Sequence, residues 1–229
     1  MSDKKIQRQF GDALAGAMAS ILGSPTVQEE VGDRLIAAVM TFARADLQQA
    51  SALENGLFRF VGEVPLRRAL AQTFYGTRWL YKLGLALLAK DDELAAHIRA
   101  QVLDYGGVAE GLLSYSIAQA LRKGRLKGTR YKYRDYKNPK DPITWNSLNP
   151  EPELAKQSFA WLIEIAADFG IVTPKLKTDL HWLRAQRNEV HLRHLVTIGR
   201  QAYLTRSERA FSVTLETASQ TKHWCTNAP

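Results

Sequence analysis

Between Asp91 and about Arg122 the apolar residues recur every third or fourth position. Leu94, Ile98, Val102, Tyr105, Ala109 and Leu112 fall on one face of a helix. That spacing stacks side chains along one side of a 3.6-residue period and cannot be read as the two-residue alternation of a strand. Asp91-Asp92-Glu93 puts negative charge at the start of the helix, where unpaired N–H groups and the helix dipole favour it. Gly106-Gly107 lies inside the run, at a cost in helix propensity of about 1 kcal/mol per glycine, and predicts a bend.

The remainder of the chain reads as more helix, with few strand signals. Ser24-Pro25 has the form of an N-cap and first turn, and Val27, Val31, Leu35, Val39 and Phe42 follow at helical spacing. This predicts a helix running to Asn55-Gly56, preceded by a shorter one over 6–22. Leu57 to Val64 reads as a connector, and Leu66 to Lys90 as a helix rich in Leu and aromatics. Glu151 to Phe169 is a further predicted helix, stopped by Gly170. Thr173-Pro174 starts another that continues to about Gly199, and a tail with Thr and Ser closes the chain. The expected fold is all-α. Helices over 66–90, 92–122, 151–169 and 174–199 have the lengths and order of a four-helix bundle, with extra N-terminal helices. The expected organisation is an N-terminal helical extension at 1–60 and the bundle at 61–229, with a basic loop at 122–150. The N-terminal helices would pack on the bundle or build a dimer interface.

Charge is where composition becomes informative. The formal net charge is +8, and residues 122–140 account for all of it, with nine basic side chains against one acid, Asp135. The nine are Arg122, Lys123, Arg125, Lys127, Arg130, Lys132, Arg134, Lys137 and Lys140. Gly124, Gly128, Pro139, Pro142 and Pro150 make this stretch a long loop, and loops of that length are usually functional or disordered. Tyr131, Tyr133, Tyr136 and Trp145 interleave with the cations, a mixture suited to phosphate attraction and base stacking. The alternatives are a solvated loop or a surface for an acidic protein. The single cysteine, Cys225, excludes an intrachain disulfide and a multi-cysteine zinc site within one chain. No apolar run is long enough to span a bilayer. Lys4, Lys5 and Arg8 before Ala13–Leu22 have the outline of a signal peptide, but Asp12 interrupts it and no small-x-small site follows. A soluble helix, no membrane partner and a cytoplasmic protein are therefore expected.

The segment from Leu180 to His194 carries the chemistry. On a helical wheel Leu180, Leu183, Val190, Leu195 and Ile198 define an apolar stripe. Arg184, Arg187, His191 and His194 share that stripe, and Asn188 lies at its edge. Two arginines and two histidines thus point where the helix should bury itself, which is costly unless they are paired or open to solvent through a cleft. Glu110, Glu153 and Glu164 are available as purely structural partners. Four such residues on one stripe favour a functional site instead. His181 falls elsewhere on the wheel, so His181, His191 and His194 do not suggest a metal site.

Leu183-Arg184-x-x-Arg187-Asn188-x-Val190-His191-Leu192 resembles the C-terminal helix motif of the HEPN superfamily. Those are small α-helical bundles, many of them metal-independent endoribonucleases in toxin–antitoxin, phage-defence and RNA-processing systems. The family pattern is an Arg, often followed by a polar residue, then four to six residues to a His. Arg184 to His191 fits it, as does Arg187 to His194, while Arg187-Asn188 supplies the Arg-polar pair. The motif arginine is therefore either of two. The stretch Tyr105 to Leu113, with Glu110, is similar to the early helix of such domains, and the resemblance covers about residues 92–200.

The resemblance implies RNA cleavage by attack of the ribose 2′-OH on the adjacent phosphorus, without cofactor or metal. His191 would exchange protons, Arg184 or Arg187 would hold the phosphate, Asn188 would orient a ribose or the His ring, and His194 is a further candidate. It also implies a homodimer with a shared site and an antitoxin or similar partner. Arg122, Lys123, Arg125, Lys127, Arg130, Tyr131, Lys132, Tyr133 and Arg134 would bind RNA. A non-catalytic HEPN-like module that binds RNA or a nucleotide, or holds a dimer together, is the alternative. A third reading is a helical assembly protein in which Arg184 and His191 are structural.

Overall fold

A computed structural model describes residues 25–188 and 204–227. Its described elements are helical, with one isolated bridge between Tyr133 and Pro142. The chain divides into two compact units, residues 1–45 and 46–229. The first unit contains α1, Pro25–Arg44. This helix starts at the predicted proline but stops short of Asn55. Ala45 closes it with a hydrogen bond to the Thr41 carbonyl. Asp46 then turns the chain with φ +59°, a left-handed conformation that a short polar side chain tolerates better than most. The apolar repeat had already ended at Phe42, so nothing past that point demanded a buried helical face. The expected helix over 6–22 lies outside the described residues.

The second unit contains α2 (Ala50–Asn55), α3 (Val64–Ala86) and α4 (Asp91–Arg122). A single 3-10 turn at Arg130–Lys132 follows, then α5 (Glu151–Leu154), α6 (Phe159–Asp168), α7 (Pro174–Asn188) and α8 (Leu204–Asn227). Helix α4 is the hub, with α3, α6, α7 and α8 all packed on it. Its C-terminal half is buried nearly all round, from Leu112, Leu113, Tyr115, Ser116, Ile117 and Ala118 to Ala120 and Leu121. A helix apolar on every side is the expected signature of a central one. Tyr115 also pins the connector before α3. Its hydroxyl donates to the Phe60 carbonyl at 3.1 Å and accepts from the Gly62 N–H at 2.9 Å.

Two expectations are corrected. The predicted helix over 151–169 is broken into α5 and α6, and Ser158 caps the second piece by accepting from the Trp161 N–H at 3.2 Å. The expected Thr/Ser tail is α8, which together with α3 packs most extensively on α4. Its buried face is Ser207, Ala210, Val213, Thr214, Thr217, Ala218 and Thr221. The hydroxyls are satisfied along the helix itself. Thr214 donates to the Ala210 carbonyl at 2.9 Å, Thr217 to Val213 at 2.7 Å and Thr221 to Thr217 at 2.7 Å. Thr214 also reaches the Tyr105 carbonyl of α4 at 3.2 Å, and Ser207 bonds Gln101. Small side chains with internally bonded hydroxyls let two helices approach closely without stranding a polar group. A hydropathy pattern reads the same residues as polar.

The basic loop is folded rather than free. Leu126 and Ile143 are buried in the core, and such an anchor contributes about 1.5–3 kcal/mol when fully buried. Tyr131 packs edge-on against Phe169 at 5.8 Å between ring centres, and Trp145 lies 6.0 Å from Trp161. The indoles of Trp145 and Trp161 donate to the carbonyls of Tyr131 (3.1 Å) and Tyr133 (2.9 Å).

The α4–α8 contact gives a direct test. Ala218→Leu should overpack it and lower the unfolding free energy by about 1–3 kcal/mol in urea titration. Thr217→Val keeps the shape and loses only a hydroxyl bonded within its own helix, so its cost should stay below about 1 kcal/mol.

Candidate functional site

Helix α7 begins at Pro174, as its Thr173-Pro174 start predicts, and buries Leu176, Leu180 and Leu183. The described part of the apolar stripe, Leu180 and Leu183, is therefore turned to the core, while Val190, Leu195 and Ile198 lie outside the described residues. Arg184 and Arg187 are half-buried at its margin and Asn188 is exposed. His191 and His194 lie outside the described residues, as does the expected continuation of the helix to Gly199.

Arg184, Arg187 and Asn188 line one open cleft of about 690 Å³, together with Glu110, Leu103, Ser158, Phe159 and Ala160. Three elements meet there: the end of α7, the middle of α4 and the first residues of α6. Arg187 Nη1 lies 2.5 Å from Glu110 Oε2, and its guanidinium sits 5.7 Å above the Phe159 ring. Gly106, one turn before Glu110, makes room for its stem. A Cβ at residue 106 would lie 3.0 Å from Arg187 Cδ. The approach of an arginine thus accounts for glycine at this position.

Arg184 is placed differently. Its Nε is buried and has no hydrogen-bond partner. No ion pair joins it to a carboxylate among the described residues. The two arginines that the sequence could not separate are therefore distinct in their surroundings, one neutralised and packed, the other lining the cleft without a paired acid.

Ser158, Phe159 and Ala160 form the N-terminal end of α6, so that end of the helix borders the cleft. The first N–H groups of a helix have no partner within it and carry partial positive charge. With two guanidinium groups in the same cleft, the arrangement suits an anion, and phosphate in particular. Phe159 and Leu103 add apolar surface beside the charged groups. Sequence reasoning missed Ser158, Phe159 and Ala160 because it ran one helix through them. The signal available was Ser158 itself, a good N-cap residue before an apolar run.

The basic loop divides by residue type. Arg122 pairs with Glu63 and Glu151. Arg130 contacts Asp168 at 2.6 Å and Glu164 at 3.4 Å, and lies 4.7 Å over the Tyr136 ring. Arg134 pairs with Asp141 at 2.9 Å and Glu153 at 3.2 Å. Arg125 stacks 5.6 Å over Trp224. Lys123, Lys127, Lys132, Lys137 and Lys140 are exposed, and none forms an ion pair with a described residue. Tyr131 and Tyr133 are half-buried, Tyr131 held by its ring on Phe169 and Tyr133 by its backbone carbonyl.

Glu164 ties this loop to α7, meeting Lys177 at 2.7 Å and His181 at 2.9 Å as well as Arg130. Burial works to raise its carboxyl, but the hydrogen bonds and charges of Lys177 and His181 together outweigh that and hold it below its ordinary value of 4.5. His181 is therefore a partner of Glu164 on α7.

No helix among the described residues is long and apolar enough to cross a membrane. No family model, curated protein or solved structure matches the chain.

A depressed carboxyl contributes stability that is complete above its unfolded value and is lost as pH falls through its folded one. The Glu164 cluster should therefore add stability at pH 6 and lose it progressively as the pH falls below 4.5. Glu164→Gln should lower stability at pH 6 and shrink the difference between pH 6 and pH 3, read by urea denaturation at both.

Proposed function

We propose that the cleft binds a phosphodiester of RNA and that the protein is a HEPN-type, metal-independent endoribonuclease. The observation that carries this reading is the convergence of Arg184, Arg187 and the N-terminal end of α6 on one open cleft. Among its described lining residues the one carboxylate, Glu110, is already paired with Arg187. Such a site would attract a phosphate rather than repel it.

On this reading Arg184 is the motif arginine. Six residues separate it from His191, and its guanidinium would hold a non-bridging phosphate oxygen and stabilise the charge added in the phosphorane. Arg187, held by Glu110 and Phe159, would fix the cleft wall and add positive potential. The ribose 2′-OH attacks phosphorus, its proton leaves to a base, and the 5′-oxygen departs with a proton from an acid. His191 is the proposed proton-transfer group, and Asn188 would position the ribose or the imidazole. The products are a 2′,3′-cyclic phosphate and a 5′-hydroxyl. One chain offers few proton-transfer groups, so a homodimer that pairs two copies of the cleft is part of the proposal, as are a protein partner such as an antitoxin and a role in phage defence.

A second reading is supported by the Arg187–Glu110 pair itself. A cleft whose arginine is tied to an acid would also serve a non-catalytic module that binds RNA or a nucleotide.

Labelled RNA incubated with the protein in EDTA separates the two. The ribonuclease reading expects cleavage that persists in EDTA and leaves 2′,3′-cyclic phosphate ends. Arg184→Ala and His191→Ala should each lower the rate by about 100–1000-fold at unchanged melting temperature. Binding without cleavage would favour the second reading.

A further inference from the structure

Residues 122–140, from the last residue of α4 into the loop before α5, carry the whole net charge of the chain, yet their arginines and lysines do different things. Arg122, Arg130 and Arg134 are spent on carboxylates of neighbouring segments, and Arg125 on the Trp224 ring. Lys123, Lys127, Lys132, Lys137 and Lys140 remain exposed without an acid partner among the described residues. The difference follows from chemistry. A planar guanidinium makes forked, directional pairs and stacks on rings, whereas an ammonium is a strongly hydrated point charge. Three of the loop's four aromatic rings are also committed. Tyr131 packs on Phe169, Tyr136 lies under Arg130, and Trp145 packs beside Trp161 with its indole bonded to Tyr131.

We propose that these five lysines form a preformed surface that holds the phosphate backbone of RNA without reading its sequence, delivering the strand to the cleft. This deepens the ribonuclease reading and rests on it. It replaces the expected mode of recognition, in which the loop's arginines and tyrosines would contact RNA and stack on bases. Rings that are packed into the fold cannot serve as stacking platforms without undoing it. Point charges on a folded loop attract any phosphate chain, and anchoring by Leu126, Ile143 and the two tryptophans removes much of the cost of ordering the loop on binding. Lys123 follows α4 directly, 13 residues and about 20 Å along the helix axis from Glu110 in the cleft. That distance is a few nucleotides of extended strand. Nucleic acid is favoured over an acidic protein because the cleft lies along the same helix and offers donors suited to phosphate.

The test is the salt dependence of binding to a fluorescent single-stranded RNA carrying 2′-O-methyl groups, which cannot be cleaved by 2′-OH attack. Each lysine that neutralises a phosphate contributes about 0.7 to the slope of log K against log salt concentration. Replacing all five by Gln should flatten the slope by about 3 to 4 and weaken binding at low salt, while five Lys→Arg changes should restore it. Scrambled and homopolymeric RNAs of equal length should bind alike. The substitutions are at exposed positions without an acid partner among the described residues, and with only Lys132 over a ring, 5.9 Å from the centre of Tyr131, the melting temperature should hardly move. An unchanged slope in the Gln variant would overturn the proposal. So would strong preference for one base sequence, or binding to polyglutamate in place of RNA. Loss of slope in a protein that cleaves no RNA would leave this surface standing and bring down the ribonuclease reading alone.

Discussion

The close seating of α8 on α4 is the contact on which the rest of the second unit depends. Helix α4 must be covered on several sides, and one of those sides is made by a face of serine, alanine and threonine. Little apolar surface is gained per residue there, so the stabilisation comes from close approach and from leaving no polar atom unsatisfied. Threonine hydroxyls bonded to carbonyls of their own helix achieve both. Helices α6 and α7 also pack on α4, and the cleft forms where these three helices meet.

The cleft inherits its geometry from α4. Gly106 lets the Arg187 stem lie against the helix, and Glu110, one turn further on, receives the guanidinium. This pair has ordinary surface-type exposure, and its value is positional more than energetic, since half-exposed ion pairs are typically worth less than about 1 kcal/mol. By engaging Arg187 it leaves Arg184 as the cation lining the cleft without an acid partner among the described residues. The break at Ser158 matters in the same way, because it puts a second helix beginning beside the arginines.

What could be read in advance follows from what each element advertises. Helix α4 advertised itself twice, through its acidic start and its apolar repeat, and its bounds match the reading. The start of α7 was given by Thr173-Pro174 and its buried face by leucines at helical spacing. The placement of Arg184 and Arg187 at the margin of that face was legible for the same reason. Helix α8 was not legible, because helical periodicity is sought in apolar residues and its buried face is small and hydroxylated. Nor could the sequence tell Arg184 from Arg187. That distinction depends on Glu110, 77 positions away from Arg187 in the chain. The loop's charge was legible as a total, but its division between arginines and lysines depends on acids contributed by other segments. His191 and His194 lie outside the described residues, and their part in the site rests on the sequence.

The central claim is that the cleft between α4, α6 and α7 receives an RNA phosphodiester. Hydrogen–deuterium exchange with and without a 2′-O-methyl RNA tests it most directly. The account predicts slowed exchange at the first N–H groups of α6, at Phe159 and Ala160, and along the end of α7 through Asn188. RNA that binds while exchange at those amides stays unchanged would contradict it.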